Sequence, residues 1–191
     1  MKIKKIFKMI ALSLIALFII ICLILAAIMK IRYPNPSENT FLVGDSFSFL
    51  NYEIKVTDYE TTDLGTFCEN HNLNNPLGNI TKTENIRCCL VTLDIKNISN
   101  QEVSSELYQI VISANNYSNG LDLDIFRALN EDSSVELQPT IKPGEAITIS
   151  LPYTIYGSQL GCMEGDPFQY IPFELTISLY PEKYVVKLNE I

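Results

Sequence analysis

An all-β domain, folded as a two-sheet antiparallel sandwich behind one N-terminal transmembrane helix, is the architecture that this 191-residue sequence predicts. Three observations carry it. Met9 to Met29 reads MIALSLIALFIIICLILAAIM without a charge. Beyond it, apolar residues recur with period two, the spacing that sends alternate side chains to one face of a strand. The segments between those runs are rich in Pro, Gly, Asn and Asp, the residues of turns.

The apolar run comes first. At 1.5 Å rise per residue, a helix over Met9–Met29 covers about 31 Å, the thickness of a hydrocarbon core. Lys2, Lys4, Lys5 and Lys8 precede it, and only Lys30 and Arg32 follow before an acidic stretch. That bias keeps the N-terminus cytoplasmic and leaves the C-terminal domain extracytoplasmic, as a single-pass protein of the cell membrane. A cleaved signal peptide is the rival reading. Its core is usually only about 7 to 15 residues long and ends in a small-x-small site, whereas Ala26-Ala27 is followed here by Ile28-Met29-Lys30. The domains are therefore a basic cytoplasmic tail (1–8), the transmembrane helix (9–29), a stalk (30–40) and the sandwich (41–191).

Charge divides at the same place. The chain has 14 Lys+Arg and 22 Asp+Glu. Residues 1–32 hold six of the basic residues and no acid, so the rest holds 8 basic against 22 acidic residues, a net of −14. Nucleic-acid binding needs the opposite sign to neutralise phosphates and is excluded. A negative coat also keeps an exported domain soluble and off anionic lipid.

Each strand follows from its alternation. Tyr52, Ile54 and Val56 alternate with Glu53, Lys55 and Thr57. Cys89, Val91, Leu93 and Ile95 form one face of a second strand, with Cys88 on the other. Tyr108, Ile110 and Ile112 predict a third, Ile147, Ile149 and Leu151 a fourth, and Phe173, Leu175, Ile177 and Leu179 a fifth. Tyr184–Leu188 follows a hairpin loop at Tyr180-Pro181-Glu182-Lys183. Lys142-Pro143-Gly144-Glu145 is a turn, with proline where φ must be fixed and glycine where it must be positive. Asn97–Asn100 and Asn115–Gly120 read as polar turn clusters. Leu121, Ile125 and Leu129 predict about two helical turns. The result is about seven or eight strands, enough for a sandwich.

Gly44-Asp45-Ser46-Phe47, Tyr52–Val56, Leu90–Asn97 and Ile141–Glu145 before Ile147-Thr148-Ile149, taken in order, resemble the immunoglobulin-like extracytoplasmic domains attached to signal peptides or anchors in Gram-positive bacteria. The strand Val91–Asn97, which ends in Asn, and the Pro143-Gly144-Glu145 turn are the shared motifs. Mycobacterial secreted immunogenic proteins are relatives in fold. The resemblance covers about residues 41–155 and implies an immunoglobulin-like fold and an envelope location, without implying a reaction. The inserts Gly65–Asn85 and Gly157–Pro172 depart from the pattern, and loops of that length are where function concentrates.

Cys22 lies in the apolar run, as a filler. Cys68, Cys88, Cys89 and Cys162 are an even number in a compartment that permits oxidation, and predict two disulfides. Cys88 and Cys89 point to opposite faces and so take different partners. Cys68 with Cys88 and Cys89 with Cys162 is the favoured pairing; exchanging the partners is the alternative. Cys68-Glu69-Asn70-His71 has a C-x-x-H spacing suited to zinc, but disulfides consume such ligands. His71 also suits a general base, though no nucleophile motif accompanies it, and a solvated loop histidine is the simpler reading. Asp122, Asp124, Glu131, Asp132, Glu164 and Asp166 offer calcium ligands without the spacing of a known calcium loop. Tyr117, Tyr153, Tyr156, Phe168 and Tyr170 fall near loops, where aromatic side chains make binding surfaces or close the ends of a core.

The expected function is a non-catalytic, membrane-anchored binding or interaction module of the bacterial envelope. No catalytic residue, cofactor or metal ligand is assigned, and the expected partners are the lipid bilayer and an envelope protein or polymer. An accessory or sensor subunit of a membrane complex is the alternative, with Ala26 and Ala27 as close-approach positions. A metal-dependent enzyme or metal-binding protein comes third.

Overall fold

A computed structural model describes residues 2–74, 78, 86–114, 117–130, 136–160 and 171–189. The chain divides into two units, Met1–Ser37 and Glu38–Ile191. The first is one helix, α1 (Lys2–Arg32). Its segment Leu12–Arg32 is long and apolar enough to cross a membrane and, taken alone, is exposed throughout.

The second unit is a β-sandwich, as the alternation predicts. One sheet has the order β1-β11-β10-β6-β7, from Ser37–Leu42, Glu182–Lys187, Glu174–Ser178, Val111–Ala114 and Tyr117–Asn119. The other has the order β2-β3-β4-β9, from Ser46–Phe49, Tyr52–Asp63, Ile86–Asn97 and Ala146–Tyr156. A small pair, β5 (Val103–Ser104) and β8 (Thr140–Ile141), stands apart. Between the sheets lies one core that includes Ile54, Val56, Val91, Leu93, Ile95, Ile112, Leu151, Tyr153, Phe173 and Leu175.

The long β3 changes face part-way. Its register with β4 shifts between Val56 and Asp58. The extra residue reverses the parity of the strand, so Tyr59 follows Ile54 and Val56 onto the core side. Across from it, β4 alternates as predicted: Cys89, Val91, Leu93 and Ile95 are buried in the core.

The tight turns gather at one end. The Leu50-Asn51 turn joins β2 to β3, residues 179–181 join β10 to β11, and residues 142–145 join β8 to β9. There Asn97 is fully buried: its Nδ2 donates to the carbonyls of Gln101 (2.7 Å) and Ile141 (2.9 Å). Its Oδ1 accepts from the Ser99 amide and hydroxyl, both at 2.8 Å. The Asn97 amide donates to Glu145, and the Gly144 amide, at φ 76°, donates back to the Asn97 carbonyl. The two motifs that carried the sequence resemblance are thus one hydrogen-bonded device.

Several expectations need correction. Tyr108 to Ile112 is not a continuous strand, because Leu107–Gln109 forms a single 3-10 turn and β6 begins at Val111. Leu107 and Ile110 face inward while Tyr108 is exposed, a spacing of three that mimics alternation over a short window. Within the Asn115–Gly120 cluster, Tyr117–Asn119 is strand β7 rather than turn, paired with β6 through Ser113 and Ser118. The sheet begins at Ser37, within the expected stalk. Among the described residues the strands number eleven, more than expected, because short edge pieces lack a legible period.

Candidate functional site

The end of the sandwich away from these turns holds the described starts of two long connections, residues 64–74 and 157–160, and with the first of them Cys68 and His71. Helix α2 (Leu64–Asn70) opens the first. Asp63 caps it, its Oδ1 accepting the Thr66 amide at 3.0 Å and its Oδ2 the Thr66 hydroxyl at 2.7 Å. Those bonds, chiefly the Thr66 amide and helped by Arg87 nearby, hold the Asp63 carboxyl below its ordinary range. Helix α3 (Leu123–Leu129) lies near the predicted position and is capped by Asp122, which accepts from the Asp124 and Ile125 amides. Its other oxygen accepts the Thr154 hydroxyl at 2.8 Å, which fastens α3 to β9.

These helices supply a second, smaller apolar cluster: Leu64, Phe67, Ile86, Cys88 and Ile125, with Cys68, Leu73, Leu90 and Leu129 against it. It explains why Cys88 and Cys89 are both fully buried. Cys89 belongs to the main core, and Cys88 to the cluster on the opposite face, as strand geometry requires.

The expected Cys68–Cys88 disulfide is absent. Cys68, Cys88 and Cys89 are free thiols, and Cys68 and Cys88 pack in one apolar cluster as small hydrophobic side chains. In the exchanged pairing, Cys68 with Cys89 is absent as well, and Cys88 with Cys162 falls outside the described residues. Cys162 lies outside the described residues, and with it the Cys89–Cys162 pairing. Burial pushes the Cys88 thiol up to about 12, with the neighbouring Cys68 adding to the effect. Burial raises Cys68, and raises Cys89 further still. Thiols held this way are protonated at neutral pH and are poor nucleophiles.

His71 ends α2 instead of standing solvated in a loop. Its Nε2 lies 3.3 Å from Glu60 Oε2, and its ring sits 4.4 Å from that of Phe67. Glu60 projects from β3, so the pair ties the helix back to the sheet. The C-x-x-H residues share α2, yet among the described residues no three His, Cys, Asp or Glu side chains group as metal ligands. Of the acids, Asp122 serves as a cap and Asp124 lies 3.6 Å from Arg127; Glu131, Asp132, Glu164 and Asp166 lie outside the described residues. Tyr153 is fully buried, its hydroxyl donating to the Ile110 carbonyl at 3.2 Å, and burial raises its pKa well above the ordinary value. Tyr117 donates to Gln159 Oε1 at 2.8 Å, and Tyr156 is exposed. Phe168 and Tyr170 fall outside the described residues.

Sequence reasoning missed α2 and the Glu60–His71 pair. The helix had a signal: Asp63 at the cap with Thr66 three residues on, and Leu64, Phe67 and Cys68 at helical spacing. Glu60 and His71 carried none, since the helix direction alone brings them together.

Residues 37–184 match the DUF5028 family, a domain of unknown function. The chain belongs to that family. Among solved structures, it is similar to a conserved hypothetical protein from Bacillus anthracis, with a TM-score of 0.52 and 13% identity over 78% of this chain and 95% of that one. An uncharacterised β-sandwich protein from Clostridium difficile gives a TM-score of 0.48 and 15% identity over 81% and 96%. At such identity the first likeness concerns the fold alone. No curated protein matches the chain.

Proposed function

We propose that this DUF5028 protein is a non-catalytic, single-span envelope protein that holds its sandwich outside the membrane and binds another envelope component there. The observation that carries the reading is α1: Leu12–Arg32 is apolar over membrane length and has no apolar surface of its own unit to cover it. Basic residues stand on its N-terminal side, and all the acids of the chain follow it. Buried, protonated thiols, which are poor nucleophiles, support the non-catalytic reading. The end that carries α2 and α3 is the binding end in this reading, because connecting segments on a rigid scaffold commonly hold binding residues.

Replacing Met9–Met29 by an unrelated single span tests it. Crosslinking on cells followed by capture should recover the same partner with either anchor. Loss of the partner on exchange would instead make the helix the contact and the protein a subunit of a membrane complex.

A further inference from the structure

The tight-turn end carries an apolar tip. Among the described residues of Glu38–Ile191, the most exposed large apolar side chains are Leu50 (78%), Leu179 (64%), Tyr180 (56%) and Ile98 (48%). All four sit on turns at that end. Leu50 opens the β2–β3 turn, and the Ile98 amide donates to the carbonyl of the next residue, Asn51, at 2.9 Å. Leu179 and Tyr180 occupy the β10–β11 turn. The two groups adjoin, because Tyr184 pairs with Ser178 and holds its ring 5.0 Å from that of Phe49. Single exposed leucines are ordinary, but four large apolar groups on adjoining turns are not. Leu50 in addition has φ 52°, a left-handed backbone that bulky residues avoid. Its side chain is the most exposed of the four, so burial among the described residues does not offset that conformation.

The chain enters the domain at this end as well. Glu38, in β1, pairs with Lys183 Nζ at 2.9 Å, beside the β10–β11 turn. From Arg32 at the end of α1 to Ser37 at the start of β1 there are five Cα-to-Cα steps, at most about 18 Å of extended chain. The headgroup region on each side of a bilayer is about 5 to 8 Å deep, so the tether keeps this end within reach of it.

We propose that Leu50, Ile98, Leu179 and Tyr180 insert into the headgroup region of the same bilayer, so that the sandwich stands on the membrane by its turns. The proposal rests on the membrane-spanning reading of Met9–Met29. Tyrosine suits that depth, with an apolar ring and a polar tip. At the turns Glu145 and Glu182 stand beside Lys142 and Lys183, so no excess of positive charge draws this end to anionic lipid; the contact is made by apolar burial, and a neutral bilayer suffices.

The chain has no Trp, so single substitutions give clean reporters. Full-length Leu50→Trp, Leu179→Trp and, as a control on α3, Leu123→Trp are reconstituted into phosphatidylcholine vesicles, with and without bromine on the acyl chains. The expected result is that every variant floats with the vesicles, and that the first two emit at shorter wavelength and lose at least half their intensity to brominated lipid while the control is unchanged. Flotation with no quenching at positions 50 and 179 would overturn the docking and leave the span intact. Positions unquenched by lipid but shielded from iodide would assign the tip to a protein partner, which also overturns it. Failure to float would remove both the span and the docking.

Discussion

The two ends of the sandwich are held together by different means. At the tether end the closure is polar and local: a buried Asn97 gathers the carbonyls of Gln101 and Ile141 and the Ser99 amide, and short turns do the rest. At the far end it is apolar and borrowed. Helices α2 and α3 lay Leu64, Phe67 and Ile125 over the outer face of the β3-β4-β9 sheet and bury Cys88 there. A sheet face can thus become a second core where short helices lie on it. Strand β4 records the change, alternating over Val91–Ile95 and buried on both faces over Cys88-Cys89.

If the far cluster is a separate, weaker unit, Phe67→Ala should loosen it alone. The fully buried ring is the cluster's largest side chain, and its loss costs about 3 to 4 kcal/mol. Hydrogen exchange on the full-length protein in neutral nanodiscs should show faster exchange in α2 and α3, with the amides of β2 and β3 up to Val56 unchanged. Uniform acceleration would mean that the ends melt as one and the distinction is false.

Asn97→Ala attacks the opposite end. It leaves the buried Ile141 carbonyl without this donor, for a loss of about 2 to 3 kcal/mol, read as a lower denaturant midpoint. Asn97→Asp should not rescue, because a carboxylate has no amide donor for those carbonyls.

A smaller effect sharpens the far end. Asp63→Ala removes the cap of α2, for about 1 kcal/mol. Because the folded carboxyl lies below its ordinary value near 3.8, the contribution is complete above that value and is lost as pH falls through the lower folded one. The wild-type chain should therefore lose α2 protection over that acid window, and the alanine variant should show no such step.

Leu50→Asn is expected to have the smallest effect and the opposite sign. Asparagine tolerates φ near 52° and leucine does not. Stability should rise by about 0.5 to 1 kcal/mol in detergent solution. A decrease would show that the leucine packs usefully within the domain.

Legibility in the sequence followed the same division. The long strands, the Asn97 strand end, the Pro143-Gly144 turn and α3 were readable because each depends on residues close in sequence. The opposite faces of Cys88 and Cys89 followed from strand period alone. What failed depended on contacts across the fold. Cysteine number predicted a Cys68–Cys88 bridge where the structure holds free thiols in an apolar cluster, since counting thiols says nothing of how their side chains pack. Helix α2 was hidden by Gly65, which read as the start of a loop, and β7 by a run of Asn and Ser that forms an edge strand.

The proposed envelope role requires the sandwich to lie outside the membrane. Proteinase K added to intact cells that express the full chain with a C-terminal epitope tag tests this directly. The tag should disappear from intact cells while a cytoplasmic marker survives. A tag that persists in intact cells and is lost only after lysis would put the domain in the cytoplasm and rule out the proposed envelope role.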